Sequence, residues 1–225
     1  MIDVIIVAAG SGKRMKSDLN KQFLEIENKP VIVWTIDKFY KNKRIDNIII
    51  AIRKEDEPLM KDLLNKYGYE NITLVYGGKE RQDSIRNCLK HALDSNIVLI
   101  HDGARPFVND ETINRCIDET IIHKCCCVGV LSKDTIKVVD NSENISYTPD
   151  RNRLWCAQTP QAFHTDIIIR AYNYAQETGF LGTDDASLAE NIGCTVKMVM
   201  GSYNNIKITT PEDLVFAQAI AKLEG

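Results

Sequence analysis

The chain has 225 residues, of which 44% are hydrophobic and 26% charged, and a formal net charge of -3 at pH 7. That size supports one sizeable core and would cramp a second, so we expect a single domain over 1–225. There is no apolar run of bilayer length, no charged-then-apolar leader and no basic excess for broad nucleic-acid binding. We therefore expect a cytoplasmic protein that binds neither membrane nor nucleic acid.

The first apolar run, Val4–Val7, breaks into Ala8-Ala9-Gly10-Ser11-Gly12-Lys13-Arg14-Met15, followed by Lys21-Gln22. A strand that runs into a glycine-rich, cationic loop is a phosphate site in outline, because glycine lets a phosphate approach backbone N–H groups and Lys and Arg supply full charge. The loop matches neither the dinucleotide fingerprint nor the Walker pattern, so a nucleotide site of another kind is indicated. Beyond it, strand-length runs rich in β-branched residues recur at Ile48–Ile52, Ile72–Val75, Ile97–Ile100, Cys126–Leu131 and Val196–Val199. Helical patterns lie between them, at Val31–Phe39, Glu57–Tyr67, Gln82–Leu93, Asn109–His123, Thr165–Gly179, Asp184–Ile192 and Pro211–Leu223. This alternation predicts an α/β fold, Rossmann-like, with a mostly parallel sheet covered by helices on both faces. Ligands of such sheets bind at the carboxyl ends of strands.

One stretch breaks the alternation. Residues 134–155 hold two extended segments, Thr135–Val139 and Ile145–Thr148, around the polar turn Asp140-Asn141-Ser142-Glu143-Asn144, which predicts a projecting β-arm. At its base, Asp150-Arg151-Asn152-Arg153-Leu154-Trp155 offers two guanidinium groups and an indole for a phosphate contact or a subunit interface. The seven cysteines show no C-x-x-C pair, which argues against structural zinc, and Cys125-Cys126-Cys127 leads into an apolar run with the texture of a buried strand.

Three further loops sit at predicted strand ends. Gly77-Gly78-Lys79-Glu80-Arg81-Gln82-Asp83-Ser84 closes one strand and opens a helix, and its backbone and Ser84 hydroxyl suit a base edge. His101-Asp102-Gly103-Ala104-Arg105-Pro106 presents a carboxylate suited to Mg²⁺ beside a guanidinium, with His101 read as a packed strand-end residue and not a base. Asn205-Ile206-Lys207 adds a lysine before the last helix. Each has a bland reading as a turn or surface ion pair, but together they call for a phosphorylated ligand.

In these motifs, and in Asp134-Thr135, Gln158-Thr159-Pro160-Gln161 and Thr183-Asp184-Asp185-Ala186-Ser187, the chain resembles a nucleotidyltransferase family along nearly its whole length. The family is the cytidylyltransferases of the methylerythritol phosphate pathway of isoprenoid biosynthesis. The resemblance implies transfer of CMP from CTP to 2-C-methyl-D-erythritol 4-phosphate with Mg²⁺, releasing pyrophosphate, in a homodimer joined through the β-arm. It implies catalytic roles for Arg14, Lys21, Arg151 and Lys207. It places CTP on Ala8, Ala9, Gly10, Gly12, Gly78, Arg81, Ser84, Asp102, Gly103 and Arg105, with the metal on Asp102. Methylerythritol phosphate falls to Thr135, Arg151, Thr159, Thr183 and Lys207, with Thr135 and Arg151 reaching in from the partner subunit.

Two positions depart from the pattern: Lys79 stands where an Asp often follows the glycines, and Arg153 fills a variable position. A sister family that activates ribitol 5-phosphate, and a regulator of the same fold without turnover, are the alternatives. Leu154-Trp155 and the Thr183–Ser187 motif resemble the methylerythritol family more closely, and the retained cations speak against a regulator. The length leads us to expect no fused downstream enzyme.

Overall fold

The computed structural model describes residues 1–10 and 20–224. Gly12 and Arg14 of the predicted site lie outside the described residues. In chain order the elements begin with β1 (Ile2–Val7), the short hairpin β2 (Glu25–Ile26) and β3 (Lys29–Pro30), α1 (Val31–Tyr40), β4 (Asn47–Ile52), α2 (Glu57–Tyr67) and β5 (Ile72–Tyr76). They continue through α3 (Arg81–Leu89), β6 (Ile97–Asp102), α4 (Asp110–His123), β7 (Cys125–Leu131), β8 (Val138–Val139) and β9 (Ile145–Tyr147). The chain closes with β10 (Trp155–His164), α5 (Thr165–Thr178), α6 (Asp185–Asn191), β11 (Lys197–Met200) and α7 (Pro211–Glu224).

Among the described residues, seven strands form one sheet in the order β11-β7-β10-β6-β1-β4-β5. The pairs β1–β4, β1–β6, β4–β5 and β7–β11 are parallel, as the alternating pattern predicts. The exception is β10, which runs antiparallel between β6 and β7. Sequence reading missed this strand because Pro160 interrupts it and β-branched residues are scarce in it. The structure accommodates the proline where the pairing with β7 shifts register between Ala157 and Gln161, a bulge that asks no ladder hydrogen bond of it.

Side chains that alternate along the strands build two cores. Val4, Ile6, Ile48, Ile50 and Leu99 pack on one face with α1, α2 and α4 through residues such as Ile36, Met60 and Ile113. Ile5, Ile49, Val98 and Ile100 pack on the other with α3, α5 and α6 through Ile85, Tyr172 and Leu188. Each such fully buried aliphatic side chain contributes roughly 1.5–3 kcal/mol of burial. The cysteine run follows the same alternation: Cys126 enters the first core and Cys125 the second. On a strand covered on both faces, free thiols serve as small apolar side chains.

The helix boundaries have local causes. α3 starts at a capping box in which Glu80 and Asp83 reciprocate, one residue earlier than the pattern predicts, and it ends at Leu89 instead of Leu93. α2 and α5 stop at Gly68 and Gly179, both left-handed at φ 70°, where other residues would be strained. The segment predicted as an arm contains the exposed hairpin β8–β9, a two-stranded sheet separate from the main one and shorter than its predicted segments.

Candidate active site

Because β1, β4, β5 and β6 are parallel, their carboxyl ends open at one rim. Val7 and Asp102 face each other there, where the chain, having laid β4 and β5 on one side of β1, crosses to lay β6 on the other. A cavity of about 490 Å³ sits at this point, lined by Ala8, Ala9, Gly10, Gln22, Arg53, Gly78, Arg81, Ser84, Asp102 and Lys207, among others. Beside the charged side chains, turns at the ends of β1 and β5 form part of its wall and are folded by hydrogen bonds of short reach. Ser84 accepts from the Gly78 N–H at 3.0 Å and donates to the Glu80 carbonyl at 3.1 Å, folding the β5–α3 loop on itself. Gln22 donates to the Ala8 carbonyl at 2.7 Å, which ties the turn at Lys21–Phe23 to the end of β1. A Cβ at Gly77 would come within 2.4 Å of the Ala9 Cβ, so the two loops meet because residue 77 has no side chain.

A second cavity, of about 310 Å³, adjoins the first and is lined by Arg81, Asp102, Arg105, Gln158, Thr159, Gln161, Thr183, Asp184 and Lys207, among others. Arg81, Asp102 and Lys207 belong to both linings. Asp102 is the hub: its Oδ2 lies 2.8 Å from Lys207 Nζ and 3.4 Å from Arg105 Nε, and its Oδ1 lies 3.5 Å from Arg81 Nε. Burial works to raise the Asp102 pKa, but Lys207, Arg81 and Arg105 outweigh it and hold the carboxyl well below the usual carboxylate range. Arg105, by contrast, is pulled below its ordinary value by burial, with Asp102 opposing.

Long-range side-chain contacts brace this second chamber. Asp185, fully buried, receives Arg81 on both oxygens at 3.0 and 2.7 Å and the Tyr172 hydroxyl at 2.5 Å. Burial opposes the Arg81 charge, yet Asp185 raises its pKa above the ordinary value. Gln161 donates to Asp184 at 2.8 Å and accepts from the Ala186 N–H at 2.8 Å, while Asp184 caps α6 by accepting from the Ser187 N–H. Asn205 donates to the Thr159 carbonyl at 2.8 Å, and its own carbonyl accepts from Arg105 at 2.8 Å. His101, fully buried, lies 3.1 Å from the Arg105 carbonyl through Nε2 and 3.0 Å from the Thr159 hydroxyl through Nδ1. Burial pushes its pKa down to about 4, so the ring is neutral at pH 7.

The predicted residues distribute unevenly over this geometry. Ala8, Ala9, Gly10, Gly78 and Ser84 line the first chamber, Arg81, Asp102 and Lys207 line both, and Thr159 and Thr183 line the second, as does Arg105, which the resemblance puts on CTP but which does not line the first. Gly103 packs behind them, its N–H on the Val7 carbonyl and its carbonyl accepting from Thr35. Lys21 opens the turn Lys21–Phe23 beside Gln22. Thr135 and Arg151 are exposed and line neither chamber; Arg151 donates to the Lys133 carbonyl at 3.4 Å. Sequence reading passed over Arg53, just after β4, whose Nε and Nη2 both donate to the Asp56 carboxylate at 2.9 Å. Its place just after an apolar run was the available signal. It also gave Asp185 no role, because nothing local announces a partner 104 residues away. Among the described residues no group of three or more His, Cys, Asp or Glu converges to hold a metal ion.

The 2-C-methyl-D-erythritol 4-phosphate cytidylyltransferase family model matches residues 2–223. The chain is 54% identical to the enzyme of that name from Clostridioides difficile over all of this chain and 95% of the relative. It is 46% identical to the one from Alkaliphilus oremlandii, over 97% of this chain and 94% of the relative. Among solved structures, the 4-diphosphocytidyl-2C-methyl-D-erythritol synthase of Anaerococcus prevotii superposes with a TM-score of 0.88 at 40% identity, covering 98% of this chain and 96% of that one. The Thermus thermophilus cytidylyltransferase superposes at 0.79 with 28% identity, covering 98% of each. With its chambers meeting around Asp102 and this likeness along its whole length, the chain belongs to the 2-C-methyl-D-erythritol 4-phosphate cytidylyltransferase family.

Proposed function

We propose that the first chamber takes CTP and the second 2-C-methyl-D-erythritol 4-phosphate, and that CMP passes between them to give 4-diphosphocytidyl-2-C-methyl-D-erythritol and pyrophosphate. The observation that carries this is the shared wall: Arg81, Asp102 and Lys207 border both chambers, so two ligands held there meet around one group of charges. In this reading the chain acts as one nucleotidyltransferase domain over 1–225 and works in the cytoplasm. No helix among the described residues is long and apolar enough to cross a membrane.

The chemistry follows from the ligands' charges. A phosphomonoester has a second pKa near 6 and is largely ionised at pH 7, so its oxygen attacks the α-phosphorus without a general base. The barrier is repulsion between the phosphate groups, which cations reduce while holding the attack in line. Lys207 and Arg105 fill that role beside the acceptor, and Arg14 and Lys21 beside the triphosphate. His101, neutral and engaged by both ring nitrogens, is not needed as a base.

Asp102 fits a divalent cation of the Mg²⁺ kind: it is a single ionised carboxylate at the junction, and Mg²⁺ commonly takes one or two carboxylates and completes its shell with phosphate oxygens and water. When bound, the ion neutralises phosphate charge.

Thr135 and Arg151 complete the acceptor chamber of a partner subunit in a homodimer. The test is pyrophosphate release with CTP, Mg²⁺ and either methylerythritol phosphate or ribitol 5-phosphate. Turnover with the first is expected, and turnover with the second alone overturns the assignment. Arg151→Ala raises the KM for methylerythritol phosphate by about tenfold or more, the scale of a lost hydrogen bond to a charged group. Mixed with a Lys21→Ala chain, it regains activity in heterodimers that hold one intact site. A monomer in sedimentation at micromolar concentration defeats the shared site.

A further inference from the structure

The two His101 nitrogens face a backbone carbonyl and a hydroxyl, with no carboxylate at either to call for a second ring proton, and an ordinary imidazole so placed, carrying one proton, fixes the direction of the protons around Thr159. The Arg105 carbonyl can only accept, so Nε2 at 3.1 Å carries the ring proton and Nδ1 holds a lone pair. Nδ1 lies 3.0 Å from the Thr159 hydroxyl and therefore accepts its proton. The same oxygen already accepts from the Asp102 N–H at 3.0 Å. A hydroxyl has one proton and two lone pairs, so Thr159 is left with a single lone pair, on an oxygen whose residue lines the second chamber.

We propose that His101 is a positioning residue that makes Thr159 an acceptor, so that Thr159 selects a hydroxyl of the acceptor substrate and not one of its phosphate oxygens. Phosphate oxygens at neutral pH only accept, and facing this lone pair they gain no bond. The polyol hydroxyls donate, and the phosphate is left to Lys207 and Arg105. The proposal rests on the second chamber holding a polyol phosphate.

Two isosteres separate positioning from packing, because an Asn amide reproduces the place of Nδ1 and a Gln amide that of Nε2. His101→Gln keeps a donor for the Arg105 carbonyl and loses the acceptor for Thr159. Its KM for methylerythritol phosphate rises about three- to tenfold, the scale of one neutral hydrogen bond, with the KM for CTP unmoved. His101→Asn restores the acceptor and most of that loss. Thr159→Val reproduces the His101→Gln effect. In ¹⁵N spectra of the imidazole-labelled full chain, His101 shows the tautomer protonated at Nε2.

A ring protonated at Nδ1, equal behaviour of the Asn and Gln variants, or an unmoved KM in Thr159→Val overturns the proposal. Should His101 variants misfold, the tautomer of the unaltered chain and Thr159→Val still decide it. Failure of the underlying reading looks different: the unaltered chain then releases no pyrophosphate with any polyol phosphate.

Discussion

The two chambers differ in how they are made. The first, the proposed nucleotide chamber, has beside the shared charged wall two turns at neighbouring strand ends, closed by contacts of short reach such as Gly78 to Ser84 and Gln22 to Ala8. The second, the proposed acceptor chamber, is walled by side chains brought from far apart, with Arg105 on Asn205, Gln161 on Ala186 and His101 on Thr159. A chamber of turns depends on the absence of side chains at a few points. A chamber of networks depends on every partner being present, since a buried polar group left alone costs more than the pair contributes.

The largest effect is therefore expected where a network is cut. Asp185→Ala strands the Tyr172 hydroxyl and removes both hydrogen bonds from Arg81, at a cost of about 3–5 kcal/mol in urea unfolding. Because Arg81 borders both chambers, the KM values of both substrates rise. A variant that loses less than ~1 kcal/mol, or affects CTP alone, would show that Arg81 does not need its buried partner. Next comes Lys21→Ala, which lowers kcat by about 10²–10³ if Lys21 is a preorganised stabiliser of the triphosphate. Near-normal pyrophosphate release would remove it from the chemistry.

The same contrast decides what could be read from the chain. Ala8-Ala9-Gly10 and Gly77-Gly78 announce themselves because strand, turn and function lie within a few consecutive residues. The parallel sheet was legible for the same reason, one β-branched run at a time. β10 was not, because a strand with Pro160 at its middle reads as a loop until two neighbours claim it. The acceptor chamber hangs on that strand, so its bracing by His101, Gln161, Asp185 and Asn205 was hidden too, although Thr159 and Thr183 were found through the family's motifs.

A pH experiment probes the network without a mutation at its rim. His101 has a pKa of about 4 in the fold against about 6.5 in the unfolded chain, where the ring is solvated. Between those values the unfolded chain binds a proton that the folded ring refuses, so stability rises with pH across the window. As pH falls from about 6.5 to about 4, His101 accounts for a loss of up to ~3 kcal/mol, which His101→Asn abolishes. Parallel pH profiles of the two proteins in urea would show the histidine to be solvated in the fold.

The smallest effect, and the most direct test of independence, is expected from Gly77→Ala. The added methyl would stand 2.4 Å from the Ala9 Cβ and 2.8 Å from the Ser84 Oγ, so one loop must retreat at a cost of about 1–3 kcal/mol. Thr159, Arg105 and Asn205 of the second chamber stand on other elements, β10, the loop after β6 and the loop before α7. The KM for CTP should rise while that for methylerythritol phosphate holds, the mirror of Arg151→Ala and unlike Asp185→Ala, which strikes both. If Gly77→Ala moves both KM values together, the shared wall of Arg81, Asp102 and Lys207 transmits strain from one chamber to the other. Turns and networks would then form one mechanical unit that merely looks like two.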